Sequence, residues 1–170
     1  TNETLKKMAE DIPEVTKNIL PDQKLDCVAY GCTSGTIASG YQSIFEKVNI
    51  AKPNTKVTTP ITSAINALKL LKINKVSIFT PYTDEINQSV INYFKNEKVE
   101  IHELSYFDIA SDLDIGKVDP QYLFDVLSKQ DLSKSDALLV SCTALPVLPI
   151  IEDLEKKIGK IVLSSNQTLI

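Results

Sequence analysis

Short apolar runs without internal polar alternation recur along this chain, and almost every one is followed by a stretch with helical spacing. Strands of that kind are buried on both faces, and an alternating order of strands and helices buries them by covering a parallel sheet on each side. A helix comes first: Leu5, Met8, Ile12, Val15 and Ile19 recur at three- and four-residue steps, with a break or bend at Pro13. Residues 25–30 predict a strand, Gly31-Cys32-Thr33-Ser34-Gly35 a tight loop, and Ile37, Tyr41, Ile44, Phe45 and Val48 a helix. Residues 56–59 are a weaker strand, and Pro60 stands where a first-turn proline would open the helix of Ile61, Ile65, Leu68 and Leu71.

The second half repeats the rhythm. Residues 75–80 run as a strand into Pro81-Tyr82-Thr83-Asp84, where Thr83 or Asp84 is placed to cap a helix carrying Ile86, Val90, Ile91 and Phe94. Residues 99–107 alternate like a strand with one slip, and a polar loop over 108–118 is long enough to carry function. Asp119-Pro120 opens a helix, 137–140 is a continuous apolar strand ending in Ser141-Cys142-Thr143, 146–158 is helical, and 160–163 is a last strand. The predicted fold class is α/β with mainly parallel sheets.

Composition narrows the function. A chain of 170 residues suffices for one domain, or two small lobes sharing an interface. A net charge of -4 and a pI near 5.1, with lysines scattered among acidic residues, leave no basic stripe for nucleic acid. No apolar run approaches a membrane span. There are 3 cysteines, none in a Cys-x-x-Cys pair, and 1 histidine, so neither a disulfide scaffold nor a metal site is expected. Reduced thiols and a cytoplasmic location fit that pattern. No charged-then-apolar leader precedes the first helix, and the start at Thr1 is read as a truncation.

An internal duplication carries the functional argument. Leu25-Asp26-Cys27-Val28-Ala29-Tyr30-Gly31-Cys32-Thr33 aligns with Ser135-Asp136-Ala137-Leu138-Leu139-Val140-Ser141-Cys142-Thr143: an Asp, a buried strand, a small residue, then Cys-Thr. Each Cys would project at the carboxyl edge of a parallel sheet with a helix about to begin, where open α/β folds bind ligands. A helix N-terminus favours a thiolate, and its amides can hold a carboxylate. A lone Cys after an apolar strand is as often a small buried hydrophobe, but packing does not require Cys-Thr at both strand ends. Cys27, inside its strand, is read as core, and His102 as structural.

These residues also resemble a known family. Tyr30-Gly31-Cys32-Thr33-Ser34-Gly35-Thr36, Thr80-Pro81-Tyr82-Thr83-Asp84-Glu85-Ile86-Asn87, Ser141-Cys142-Thr143-Ala144-Leu145 and Ser164-Ser165-Asn166-Gln167 resemble the maleate cis–trans isomerase branch of the aspartate/glutamate racemase superfamily, its ectoine-utilisation members most closely. The resemblance implies two pseudo-symmetric flavodoxin-like lobes with the active site between them. Residues 1–60 and 160–170 would form the first lobe and 61–159 the second. It also implies a first strand, bearing a substrate-binding asparagine, that does not precede residues 1–20 here.

The implied activity is cofactor-independent isomerisation of a small dicarboxylate, maleate to fumarate, by Cys32 as nucleophile and Cys142 as acid/base, roles that the sequence leaves exchangeable. Thr33, Ser34, Tyr82 and Thr143 would bind substrate, though each has an ordinary role as cap or loop filler. Asn166 would support the site from behind or serve as a turn residue. Asp112 would repel a dicarboxylate. Arylmalonate decarboxylases resemble the chain around Thr33, Ser34 and Tyr82 but carry glycine at the position of Cys32. Amino-acid racemases have two cysteines but typically Asn after the first, where Thr33 stands, and His or Glu where Ala144 stands. A two-cysteine racemase of an acidic amino acid, an arylmalonate-decarboxylase-like enzyme and a catalytically silent binding module remain as other readings. The expected partners are a small dicarboxylate or amino-acid substrate and further copies of the chain, with no nucleic acid and no membrane.

Overall fold

The computed structural model describes residues 1–170. The N-terminal helical segment divides into α1 (Asn2–Glu10) and α2 (Ile12–Lys17). Pro13 sits in the first turn of α2, where a missing N–H leaves no bond unmade, so it starts a second helix and does not bend a single one. Then follow β1 (Cys27–Ala29), α3 (Thr33–Ser39), α4 (Tyr41–Ala51), β2 (Lys56–Thr58) and α5 (Pro60–Leu70). One helix was expected where α3 and α4 stand. Gly40 parts them at φ +80, a backbone region that a side chain makes costly, so the apolar periodicity runs on across a real break.

The rest of the chain forms β3 (Lys75–Thr80), α6 (Asp84–Asn96), β4 (Glu100–Tyr106), α7 (Asp112–Ile115), α8 (Pro120–Leu127), β5 (Ala137–Val140), a 3-10 turn (Leu148–Ile150), α9 (Ile151–Ile158), β6 (Ile161–Ser164) and α10 (Ser165–Leu169). All pairings are parallel: β1 with β2 in one sheet, and β4-β3-β5-β6 in the other. The slip read in β4 is a bulge: Val76 pairs with Ile101, but Ile78 pairs with Leu104, so β4 carries one extra residue. The loop after β4 contains α7, with Ile115 buried.

The main core surrounds the larger sheet. Val76, Ile78, Phe79, Leu138, Leu139 and Val140 are fully buried, each contributing roughly 1.5 to 3 kcal/mol of hydrophobic stabilisation. The smaller sheet rests on five buried residues, Ala9, Ile12, Ile44, Val48 and Val57, too few to hold two strands alone. Contacts of α3 with α5 and α6 tie it to the larger body.

Two expectations fail in this region. β1 is not a buried strand, and Cys27 is exposed, not core. The reason is that β1 pairs on one side only, so its outer positions have no covering neighbour. The last strand, placed with residues 1–60 on sequence, instead pairs with β5 through Leu138 with Val162 and Val140 with Ser164. An apolar run of four residues fits either sheet, and its partner decides. No helix is long and apolar enough to cross a membrane.

Candidate active site

In the strand order β4-β3-β5-β6 the chain leaves β3 towards β4 on one side and then returns to place β5 on the other. That reversal opens a crevice at the carboxyl ends of β3 and β5, where α/β sheets take their ligands. Tyr82 follows β3, and Cys142 follows β5.

Cys32 is the N-cap of α3. The Gly35 N–H donates to its Sγ at 3.2 Å, so the sulfur stands where a Ser or Asp oxygen usually takes the free amides of a first turn. Ser34 Oγ lies 3.7 Å from the same sulfur, and the Thr36 hydroxyl donates to the Cys32 carbonyl at 2.7 Å.

The turn around Cys142 is different, because no helix begins there: α9 starts only at Ile151. Cys142 has φ 149, a region that non-glycine residues rarely occupy and that costs about 1 to 3 kcal/mol. Its N–H donates to Ser165 Oγ at 3.1 Å, and the Ala144 N–H donates to its Sγ at 3.4 Å. Burial pushes the Cys142 thiol above the ordinary cysteine value, and the nearby Asp112 charge adds to this. The Ala144 amide and the Tyr82 phenol oppose the shift without cancelling it. At neutral pH Cys142 is therefore a protonated thiol.

Tyr82 joins the two. It is 6% exposed, and its phenol is held well above the ordinary value, first by burial, then by the charges of Cys142 and, more weakly, Cys32. The Thr33 hydroxyl touches it and pulls the other way. Its loop is braced by Asn87, whose Nδ2 donates to the Tyr82 carbonyl at 3.1 Å while Thr80 Oγ1 donates to Asn87 Oδ1 at 2.6 Å.

Hydrogen bonds between the two sheets hold the thiol turns together. The Thr33 and Ser165 hydroxyls pair at 3.0 Å, and Ser165 also accepts from the Cys142 N–H. Thr143 Oγ1 donates to the Gly31 carbonyl at 2.7 Å, and Asn166 Nδ2 donates to the Thr143 carbonyl at 3.1 Å. Thr143 thus spends its proton on the opposite turn and does not cap the helix that follows. Of the residues singled out on sequence, Cys32, Thr33, Ser34, Tyr82, Cys142, Thr143 and Asn166 come together. His102 stands apart on β4, its Nε2 3.7 Å from Asp131.

Ser34 and Tyr82 also line a cleft of about 510 Å³ whose walls include Asp84, Glu85, Asp108 and Asp112. Neither thiol lines it directly, and Ser34, Tyr82 and Asp112, whose charge acts on Cys142, belong to both cleft and thiol surroundings. Ser165 and Asn87 stand within the motifs read on sequence but were given no role there. A serine at the end of β6, beside the strand that ends in Cys142, was the available signal.

Residues 38–169 match the arylmalonate decarboxylase family. The maleate isomerase of Geobacillus stearothermophilus is 28% identical over 173 residues, covering 97% of this chain and 68% of that protein. The maleate isomerase of Alcaligenes faecalis is 29% identical over 154 residues, covering 86% of this chain and 61% of that protein. The chain therefore spans roughly two thirds of the length of these relatives. Among solved structures, a cysteine-to-serine mutant of Nocardia farcinica maleate cis–trans isomerase with a covalently bound succinylcysteine intermediate superposes with a TM-score of 0.88 at 21% identity, covering 99% of this chain and 71% of that one.

Proposed function

The chain belongs to the arylmalonate decarboxylase family, and on that footing we propose that it is an isomerase that interconverts maleate and fumarate through its two cysteines. The observation that carries this reading is that the Thr143 hydroxyl bonds the turn of Cys142 to the turn of Cys32, with the buried Tyr82 phenol near both thiols. A substrate small enough to sit against that phenol reaches Cys32 and Cys142 together.

Cys32 is the nucleophile. Its thiolate adds to one carbon of the double bond, the electron pair moves to the neighbouring carbon, and that carbon takes the Cys142 proton. The product is a saturated thioether of succinate, the species named for the Nocardia relative. Rotation about the new single bond turns the cis arrangement to trans. Cys142 then takes the proton back, the C–S bond breaks, and fumarate leaves with the Cys32 thiolate restored. The protonated state of the buried Cys142 supports this division of roles, because a proton donor must hold a proton at working pH. Thr33, Ser34 and Tyr82 offer donors to the carboxylates, while Thr143, its proton held by the Gly31 carbonyl, fixes the turn of Cys142 beside them.

A second reading has one observation in its favour. Asp84, Glu85, Asp108 and Asp112 on the cleft wall suit an ammonium group better than a second carboxylate, which favours racemisation of an amino acid by the same thiols. Incubation with maleate, and separately with L-aspartate and L-glutamate, separates the two. Fumarate formation with optical rotation of the amino acids unchanged supports the isomerase. Turnover that survives Cys32→Ser overturns both.

A further inference from the structure

Tyr30 lies two residues before Cys32, and no role has been given to it so far. The Cys32 N–H donates to the Tyr30 carbonyl at 3.0 Å, closing a three-residue turn over Gly31. The two side chains converge above Gly35. A Cβ placed there would lie 2.6 Å from the Tyr30 hydroxyl and 2.9 Å from Cys32 Sγ. The Tyr30 hydroxyl is sealed from solvent and has no formed hydrogen bond, a costly state for a polar atom with no purpose. Burial first, and then the neighbouring Cys32, push its phenol up to about 12, so it keeps its proton throughout the physiological range. The two atoms share the space over Gly35, and no hydrogen bond joins them.

We propose that Tyr30 is the hydrogen-bond donor that receives the Cys32 sulfur when it becomes a thiolate, and that position 35 is glycine because phenol and sulfur both occupy the space over its Cα. The proposal deepens the isomerase reading, since it rests on Cys32 as the nucleophile. An uncharged phenol gains little from a thiol and much from a thiolate, so its unmade bond is held in reserve for the ionised state. Tyr82 also stands near Cys32, but there burial comes first and Cys142 next, so Tyr30 is the phenol placed for Cys32.

The test is site-resolved alkylation of the full chain by iodoacetamide, read by mass spectrometry at each cysteine. Tyr30→Phe keeps the ring and removes the donor. The expected result is alkylation of Cys32 slowed about tenfold at pH 7 and restored at pH 10, where thiols ionise without help. Cys27, which is exposed, serves as the reagent control, and the buried Cys142 reports the fold. An unchanged Cys32 rate at pH 7, or an equal slowing at both pH values, overturns the proposal, because altered access does not depend on pH. Should Cys142 become as reactive as Cys27, the variant has unfolded, and Tyr30→3-fluorotyrosine decides. That stronger donor of nearly the same shape speeds Cys32 at pH 7, and no change overturns the proposal. Maleate turnover by Cys32→Ser is measured in parallel. Its survival sinks the isomerase reading, whereas an inactive Cys32→Ser with an unaltered Tyr30→Phe profile sinks only the role of Tyr30.

Discussion

The Thr143 hydroxyl donates to the carbonyl of Gly31 at 2.7 Å, so the turn that holds Cys142 is bonded directly to the turn that holds Cys32. Two strand ends from different sheets are thereby kept at one distance. Thr143→Val preserves the shape and removes the donor. The expected cost is about 1 kcal/mol of stability, read from urea unfolding, because the Gly31 carbonyl loses its partner. The fall in kcat for maleate should exceed what that stability loss explains at temperatures where the variant is folded.

Tyr82→Phe removes the buried phenol that stands near both thiols. Roughly a hundredfold loss of kcat is expected if the phenol positions substrate or proton between them. Circular dichroism should stay unchanged, since the ring remains packed in the core. Full activity in this variant would refute the shared-pocket reading.

Gly35→Ala introduces a Cβ within 3 Å of two atoms, the Tyr30 hydroxyl at 2.6 Å and Cys32 Sγ at 2.9 Å. Neither atom ends a flexible side chain, so the phenol or the thiol must move. A destabilisation of about 1 to 3 kcal/mol is expected. The accompanying change in Cys32 alkylation, measured at saturating folded fraction, distinguishes displacement of the thiol from a general weakening of α3.

The raised Cys142 thiol makes a pH prediction with a definite sign. Below the ordinary thiol value, about 8.5 to 9, folded and unfolded chains both hold the proton and stability is full. As pH rises further the unfolded chain ionises first, so stability is lost until the folded-state value is passed. Tyr30 and Tyr93, both pushed up to about 12, act in the same sense at higher pH and are common to parent and variant. Urea midpoints at pH 8 and pH 10.5 should fall more in the parent than in Cys142→Ser. An equal fall would show that the thiol is not what burial penalises.

Local signals survived translation into structure, and long-range ones did not. Asp119 caps α8 by accepting from the Tyr122 N–H, as Asp-Pro before an apolar period foretells, and the slip in β4 is a bulge. Pairing partners, in contrast, are not written in periodicity. The sheet that takes residues 161–164 and the exposure of Cys27 both depend on which strands stand beside them. In the site, the duplicated Cys-Thr drew attention to both thiols, although only Cys32 caps a helix and the turn of Cys142 is built differently. The role of Ser165 was not legible, because its hydroxyl bonds Thr33 and the Cys142 N–H only once α10 meets the opposite sheet.

The bond between Thr33 and Ser165 closes a span of 132 residues. Contacts so distant in sequence are entropically costly until the intervening strands have paired, which makes them late arrivals in folding. A chain that has completed β3, β5 and β6 but not yet docked α3 holds two ordinary sulfhydryls with no common neighbour. The nearness of the two thiols is therefore a property of the docked sheets together and of neither sheet alone.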